Sequence, residues 1–227
     1  MRDLARYRSL VFDCDGVVLE SNRLKTEAFR RTALPWGAAA AEALVAYHTA
    51  HGGIARQVKF AHFLAEILPR HAAPGAPPAP PAEALLQAYA AEVRAGLMAC
   101  AVAPGLEALR AATPGARWLI VSGGDQAELR AVFAARGLAG LFDGGIFGSP
   151  DDKDTILARE RAAGTIPGPA LFLGDSRYDH EAASRAGLDF VFVSGWSEFA
   201  GWPEHVRRHG LPVVRTLAEL LERPEAG

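Results

Sequence analysis

Leu10-Val11-Phe12-Asp13-Cys14-Asp15-Gly16-Val17-Val18 is an apolar run that breaks into two carboxylates and a glycine. Two acids directly after a buried strand cost desolvation energy unless a cation or hydrogen bonds compensate, so the segment points to a site. An Asp-Gly turn is the competing possibility, and partners later in the chain must decide between the two. Ser9 to Val18 reads as a strand rich in Val, Leu and Phe, as a strand buried on both faces should be. Alternation along an extended chain sends Asp13 and Asp15 to one side and Cys14 to the other. Cys14 is then a small buried apolar residue.

The chain has 227 residues, half of them apolar and 22% charged, enough for one large domain or a core with a smaller insert. A formal net charge of -2 provides no chain-wide basic field for nucleic acid or an acidic membrane surface, so a phosphate-bearing ligand must be held locally. The two cysteines, Cys14 and Cys100, lack metal-ligand spacing and fit a reducing compartment. The start, Met1-Arg2-Asp3-Leu4-Ala5-Arg6-Tyr7-Arg8, lacks the apolar stretch of a signal peptide, and no run reaches membrane-spanning length. The expectation is a cytoplasmic protein.

From Ser21 to about Ala103 the chain is alanine-rich with helical spacing. Helices are expected over Ser21 to Leu34, Ala38 to Ala50, Ala55 to Leu68 and Pro81 to Leu97, broken at Pro35, Gly52-Gly53 and the Ala/Pro tract Ala72 to Pro81. That tract suits a stiff exposed linker. After Pro104-Gly105, strands are expected at Arg117 to Ser122, Gly144 to Phe147, Ala170 to Gly174, Phe190 to Val193 and Val213 to Val214. Between and around them lie helices at Leu106 to Ala112, Gln126 to Arg136, Lys153 to Ala163, His180 to Ala186 and Leu217 to Glu222. This alternation implies an α/β fold with a mostly parallel sheet covered on both faces, whose ligands bind beyond the carboxyl ends of the strands.

Every polar cluster falls at such an end. Trp118-Leu119-Ile120-Val121 runs into Ser122-Gly123-Gly124-Asp125, a hydroxyl and backbone amides able to hold phosphate oxygens. Lys153 opens a helix after Gly148-Ser149-Pro150-Asp151-Asp152, where a cation opposes the helix dipole unless an anion or carboxylates are near. Leu171-Phe172-Leu173-Gly174-Asp175-Ser176-Arg177-Tyr178-Asp179 again breaks from an apolar strand into acids. With a helix starting near Ser176, Asp175 sits at its cap and Asp179 one turn on. Several carboxylates with a hydroxyl and a lysine suit magnesium and a phosphoryl group.

The order and types of these motifs resemble the haloacid dehalogenase superfamily. Asp13-Cys14-Asp15-Gly16-Val17 matches its Asp-x-Asp-Gly-Val motif, and Ser122, Lys153 and Gly174 to Asp179 match the serine, lysine and Gly-Asp-x-x-x-Asp motifs. The resemblance covers nearly the whole chain. It implies a Rossmann-like doubly wound core over residues 1–19 and 100–227 and an inserted helical cap domain over 20–99. It also implies that Asp13 is a nucleophile forming an aspartyl-phosphate and that Asp15 is the general acid and base. Mg2+ would be held by Asp13, the carbonyl of Asp15 and Asp175, with Asp179 orienting metal-bound water. Ser122 and Lys153 would stabilise the phosphoryl oxygens. A second aspartate in the first motif favours phosphate esters over organic halides.

The cap loop His51-Gly52-Gly53-Ile54-Ala55-Arg56 is similar to the specificity loop of phosphoglycolate phosphatase and β-phosphoglucomutase relatives. Arg56 reads either as a substrate-anion contact or as a solvated helix residue. Asn22 and Lys25 read as substrate contacts or as hinge residues, and Gly123 as a phosphate-binding amide. Lys25 stands where β-phosphoglucomutase has a histidine that controls access, which favours hydrolysis over a mutase. His48 and His51 are weak evidence for zinc, and His180 reads as helix surface. Trp196, Phe199 and Trp202 read as core packing. The expected partner is a small-molecule phosphate ester, with no nucleic acid and no membrane, for a monomer or homodimer. A signalling receiver and a catalytically silent binding protein are the competing classes. The receiver would place its aspartate mid-chain and carry no insert after the first strand.

Overall fold

A computed structural model describes residues 4–222; Met1-Arg2-Asp3, part of the amino-terminal reading, lie outside them. Its first strand, β1 (Ser9–Phe12), is buried along its whole length, as a central parallel strand must be. Helices follow without another strand until residue 117: α1 (Asn22–Ala33), α2 (Ala38–Ala50), α3 (Arg56–His62), α4 (Leu68–His71), α5 (Ala82–Ala99) and α6 (Leu106–Ala112). The chain then alternates through β2 (Arg117–Asp125), α7 (Gln126–Ala135), β3 (Gly145–Ser149), α8 (Lys153–Ala162), β4 (Ala170–Gly174), α9 (Arg177–Arg185), β5 (Asp189–Val193), α10 (Trp202–His209) and β6 (Val213–Val214).

Among the described residues the strands form one six-stranded sheet in the order β3-β2-β1-β4-β5-β6, and every pairing is parallel. Strand order reverses beside β1, where the loops after β1 and β4 diverge and leave a crevice. Side chains of β1 divide between the two faces with the strand period. Leu10 and Phe12 join a core with Trp118, Phe133 and Phe142, and Val11 joins one with Val121, Phe172 and Ala182. Phe12 lies 4.6 Å from Trp118 and 5.7 Å from Phe142, ring centre to ring centre. The first core continues into the helices after β1 through Phe29, Phe60, Phe63 and the α5 stripe Leu85, Tyr89, Val93 and Leu97, which recurs every four residues as one helix face should.

Several elements depart from the sequence expectation. The strand expected to reach Val18 stops at Phe12, because Val18 and Leu19 both donate to the Cys14 carbonyl and Gly16 takes a φ of 77°. Asp13 and Asp15 therefore meet through a turn, and strand alternation does not relate them. β2 runs on to Asp125, with its register against β3 shifting between Val121 and Asp125. The helix expected over Ala55 to Leu68 is α3, a wide π turn at Phe63–Ile67, and α4. Pro69 accounts for the break, since it has no N–H and its ring crowds the preceding turn. α9 begins at Arg177 instead of His180, and Ser176, not Asp175, is its N-cap. The closing helix is only a 3₁₀ turn at Leu217–Leu220, and α10 is a helix where sequence patterning indicated none. Other boundaries move by a residue or two.

The tract from Ala72 to Pro81 is largely exposed and lacks helix or strand. It is pinned around Trp36, whose indole donates to the Pro77 carbonyl at 3.0 Å and whose carbonyl accepts from the Ala73 N–H at 2.8 Å. Among the described residues no helix is long and apolar enough to cross a membrane.

Candidate active site

The crevice beside β1 is a cavity of about 310 Å³, lined by Asp13, Asp15 and Asp175 below and by Lys25, His48 and Lys59 from the inserted helices. That volume suits a small molecule. Asp13 is fixed by its own turn: its N–H donates to Leu173 at 2.9 Å, and its Oδ1 accepts from the Cys14 N–H at 2.8 Å. Gly16 then lets the turn pass close to the β4 loop. A Cβ there would stand 2.2 Å from Asp175 Oδ2 and 2.3 Å from Asn22 Nδ2, so no larger residue fits this approach.

The β4 loop is held from three sides. Asn22 Nδ2 donates to Asp175 Oδ2 at 2.7 Å and to the Trp196 carbonyl at 2.9 Å, and Ser197 Oγ donates to the Asp175 carbonyl at 2.6 Å. Asp179 Oδ2 accepts from the Ser176 hydroxyl at 2.6 Å and from the Ser176 amide at 3.0 Å, and the Asp179 N–H donates back to Ser176 Oγ at 3.2 Å, which closes a capping box on α9. Its other oxygen accepts from Lys153. Lys153 is fully buried and also lies 2.9 Å from Asp13 Oδ1, so it stands between the two carboxylates.

Electrostatics follow from this crowding. Burial lifts the Asp13 carboxyl to about 7, with Lys153 pulling down and Asp179 pushing up. Burial, then Asp179 and Asp13, hold Asp175 well above the usual carboxylate range. Burial alone would lower Lys153, yet Asp13 and Asp179 raise it above an ordinary lysine. Asp15 is different. Burial acts to raise it, but Lys25 at 2.6 Å and the Ser21 hydroxyl at 2.5 Å win and hold it low. Ligand oxygens of Asp13, Asp175 and Asp179 lie within 4.8 Å of one another, all buried. One ammonium among three such hard oxygen donors leaves excess negative charge, and the set fits a divalent cation.

A family model for haloacid dehalogenase-like hydrolases matches residues 7–187. The chain belongs to that family, and it is a hydrolase. Curated protein sequences include no match to it. Its fold is similar to a predicted phosphatase from Clostridium acetobutylicum at 18% identity, covering 94% of this chain and 96% of that one with a TM-score of 0.68. It is also similar to CbbY from Rhodobacter sphaeroides in complex with phosphate, at 25% identity, 94% and 96% coverage and a TM-score of 0.66. A variant of CbbY was crystallised with xylulose-1,5-bisphosphate; it shares 24% identity, 94% and 96% coverage and a TM-score of 0.67. A predicted phosphoglycolate phosphatase from Haemophilus somnus shares 17% identity, with 95% and 97% coverage and a TM-score of 0.69.

Within this haloacid dehalogenase-like hydrolase the family motifs occupy two depths. Asp13, Asp15, Gly123 and Asp175 line the cavity, whereas Ser122, Lys153 and Asp179 lie fully buried beneath it. Ser122 Oγ accepts from the Gly124 N–H at 3.0 Å, which shapes the turn that presents Gly123. Gly123 lies against the inserted loop: a Cβ on it would be 2.3 Å from the Gly53 carbonyl oxygen. Arg56 lines the cavity but spends its guanidinium on the chain's own acids, with Glu128 at 3.1 Å and Asp125 at 3.6 Å. Asn22 and Lys25 likewise bind Asp175 and Asp15.

Sequence reasoning missed a polar chain across the inserted helices. Lys59 Nζ donates to His48 Nδ1 at 2.7 Å, His48 Nε2 lies 3.0 Å from Thr26 Oγ1, and Thr26 donates to Glu198 at 2.6 Å. Burial, with Lys25 next, lowers Lys59 to about 7, and burial with Lys59 and Lys25 drives His48 well below its usual value. His48 is therefore neutral, accepting at Nδ1 and donating to Thr26 from Nε2. One signal was available in the sequence: Lys59 is a charge on the same helix face as Phe63, four residues on.

Proposed function

We propose that this hydrolase is a magnesium-dependent phosphatase that cleaves a small-molecule phosphate monoester through an aspartyl-phosphate on Asp13. The observation that carries the reading is Asp13 at the cavity floor, 2.9 Å from buried Lys153 and grouped with Asp175 and Asp179. In the first step an Asp13 oxygen bonds to phosphorus and the ester P–O bond breaks. Asp15 relays to the departing alkoxide the proton that Lys25 donates to it across their 2.6 Å hydrogen bond, and the proton Asp15 gains in the second step returns to Lys25. In the second step Asp15, as carboxylate, takes a proton from water that attacks the same phosphorus, which frees inorganic phosphate and regenerates Asp13. Asp13 and Asp175 would hold the cation, whose charge offsets that of an anionic nucleophile meeting an anionic phosphate. Asp179, with both oxygens engaged, keeps Lys153 and the β4 loop in place. The Gly123 turn and Lys153 steady the phosphoryl oxygens.

We read residues 1–19 and 100–227 as the catalytic core and 20–99 as a cap that excludes bulk water. Lys25, paired with Asp15, and Lys59, lowered to about 7 by burial, bring two amines to the cap wall of the cavity, where a second anionic group would find a partner by drawing a proton onto Lys59; this suits a sugar bisphosphate or a phosphorylated hydroxy acid. The free thiols Cys14 and Cys100 accord with a reducing cytoplasm.

Purified protein with Mg2+ should release inorganic phosphate from an aryl phosphate, and Asp13→Asn should lower that rate by several orders of magnitude. Undiminished activity in the variant would sink the assignment of the nucleophile. Product analysis on hexose phosphates separates hydrolysis, which accumulates free phosphate, from a mutase, which yields an isomer.

A further inference from the structure

On the far side of α9 three histidines converge outside the catalytic cavity. His180 comes from the first turns of α9, and His205 and His209 come from α10, where a spacing of four places both on one helix face. His180 Nδ1 lies 3.1 Å from His205 Nε2, and ring-nitrogen atoms of all three fall within 4.8 Å of one another. The ring centres are 5.0, 4.9 and 4.6 Å apart. Two imidazole nitrogens on one tetrahedral zinc ion, each at about 2.0–2.1 Å, stand about 3.3 Å apart. The ion-free spacing of the first pair already approaches that edge.

At His180 and His205 the surroundings favour the neutral imidazole, the form that binds metal. Burial, followed by His209, lowers His180; burial, followed by His180, His209 and Arg177, lowers His205; Glu181 is the acid acting on both. His180 and His205 therefore resist becoming imidazoliums together. His180 is packed beside Phe190, 5.4 Å between ring centres, and His205 beside Phe199 at 5.8 Å, so two of the rings are backed by aromatic packing. His209 is the last residue of α10. Imidazole donors without thiolate suit borderline ions such as Zn2+, Ni2+ or Cu2+, and do not suit Mg2+.

We propose that His180, His205 and His209 form a binding site for one divalent transition-metal ion of the zinc class, separate from the carboxylate pocket, that ties α9 to α10. The consequence reaches the catalytic cavity through the chain itself. α9 carries Asp179 in its first turn, and α10 follows the segment in which Trp196, Ser197 and Glu198 hold Asn22, the Asp175 carbonyl and Thr26. An ion joining the two helices stiffens that wall.

The full chain should be titrated calorimetrically with zinc chloride at neutral pH in saturating Mg2+, which keeps the carboxylates occupied. Wild type should take up one equivalent and gain thermal stability. His205→Ala with His209→Ala should lose both effects while keeping its circular-dichroism spectrum. His209→Gln, a change at an exposed position that removes one donor, should bind zinc more weakly. The proposal fails if wild type takes up no zinc, or if the folded double variant still binds the same equivalent, which would put the ion elsewhere. If the double variant does not fold, His209→Gln decides, and unchanged affinity there overturns the site. None of these readouts depends on the phosphatase reading.

Discussion

Lys59 shows how much one buried charge can control. It is 3% exposed, and its hydrogen-bond partner in the cap is a neutral histidine instead of a carboxylate. An unfolded lysine titrates near 10.5 and this one near 7. Between those values the unfolded chain holds the extra proton, so stability rises with pH across the window and is at its lowest below about 7. Lys59→Met should flatten that rise, measured as urea-unfolding free energy at neutral and alkaline pH. The slope is the readout, because the variant also leaves His48 Nδ1 without its donor, a loss of about 1–3 kcal/mol at every pH. An unchanged slope would mean that Lys59 titrates normally. At mildly alkaline pH, a second anionic group on the substrate would draw a proton onto Lys59. Lys25 contrasts with it: an acid partner, Asp15, raises it above an ordinary lysine.

Between elements, the coupling of the α2–α3 loop to α7 rests on Arg56. Its guanidinium reaches Glu128 at 3.1 Å and Asp125 at 3.6 Å and lies 5.5 Å over the Tyr89 ring. Asp125 is also the N-cap of α7, accepting from the Glu128 N–H at 2.9 Å. One core helix start thus holds the loop whose Gly53 covers Gly123. A partly buried pair of this kind contributes about 1 kcal/mol. Arg56→Ala should therefore speed amide hydrogen exchange at Gly52 to Ile54 about fivefold, read by mass spectrometry. Exchange that stays at the wild-type rate would show that the loop is held by packing alone.

Across the whole molecule, the sheet gathers carboxylates that repel one another. Asp13 and Asp179 share one buried ammonium, Lys153, with Asp175 grouped beside them, and burial raises both Asp13 and Asp175. A divalent cation held there, as the proposed function requires, would relieve this electrostatic cost. Metal stripped by a chelator should be missed globally: adding Mg2+ at a hundred times its dissociation constant stabilises by about 2.7 kcal/mol. For a chain of this size that is a Tm increase of about 5–10 °C in calorimetry. Asp175→Asn should shrink the increase, and a Tm indifferent to Mg2+ would mean that no such cation relieves these acids.

The sequence by itself determined where the strands lie and that acids terminate them. Apolar runs such as Leu10 to Phe12 and Leu171 to Leu173 must be buried, and a carboxylate directly after one needs a cation or donors to meet it. The parallel sheet and the family were legible for the same reason. Tertiary structure decided what the side chains touch. Asp13 and Asp15 are related by a turn around Gly16 whose tightness is set by Asn22, six residues on, and by Asp175, far along the chain. Arg56 found Asp125 and Glu128, Lys59 found His48, and His180 found His205 and His209, each from a different element. Local periodicity reports which face of a helix is buried, but not which face of another helix it meets. In the opening stretch, the composition announced a site, and only the packing of β4, α1 and α8 around it set the charge on each acid.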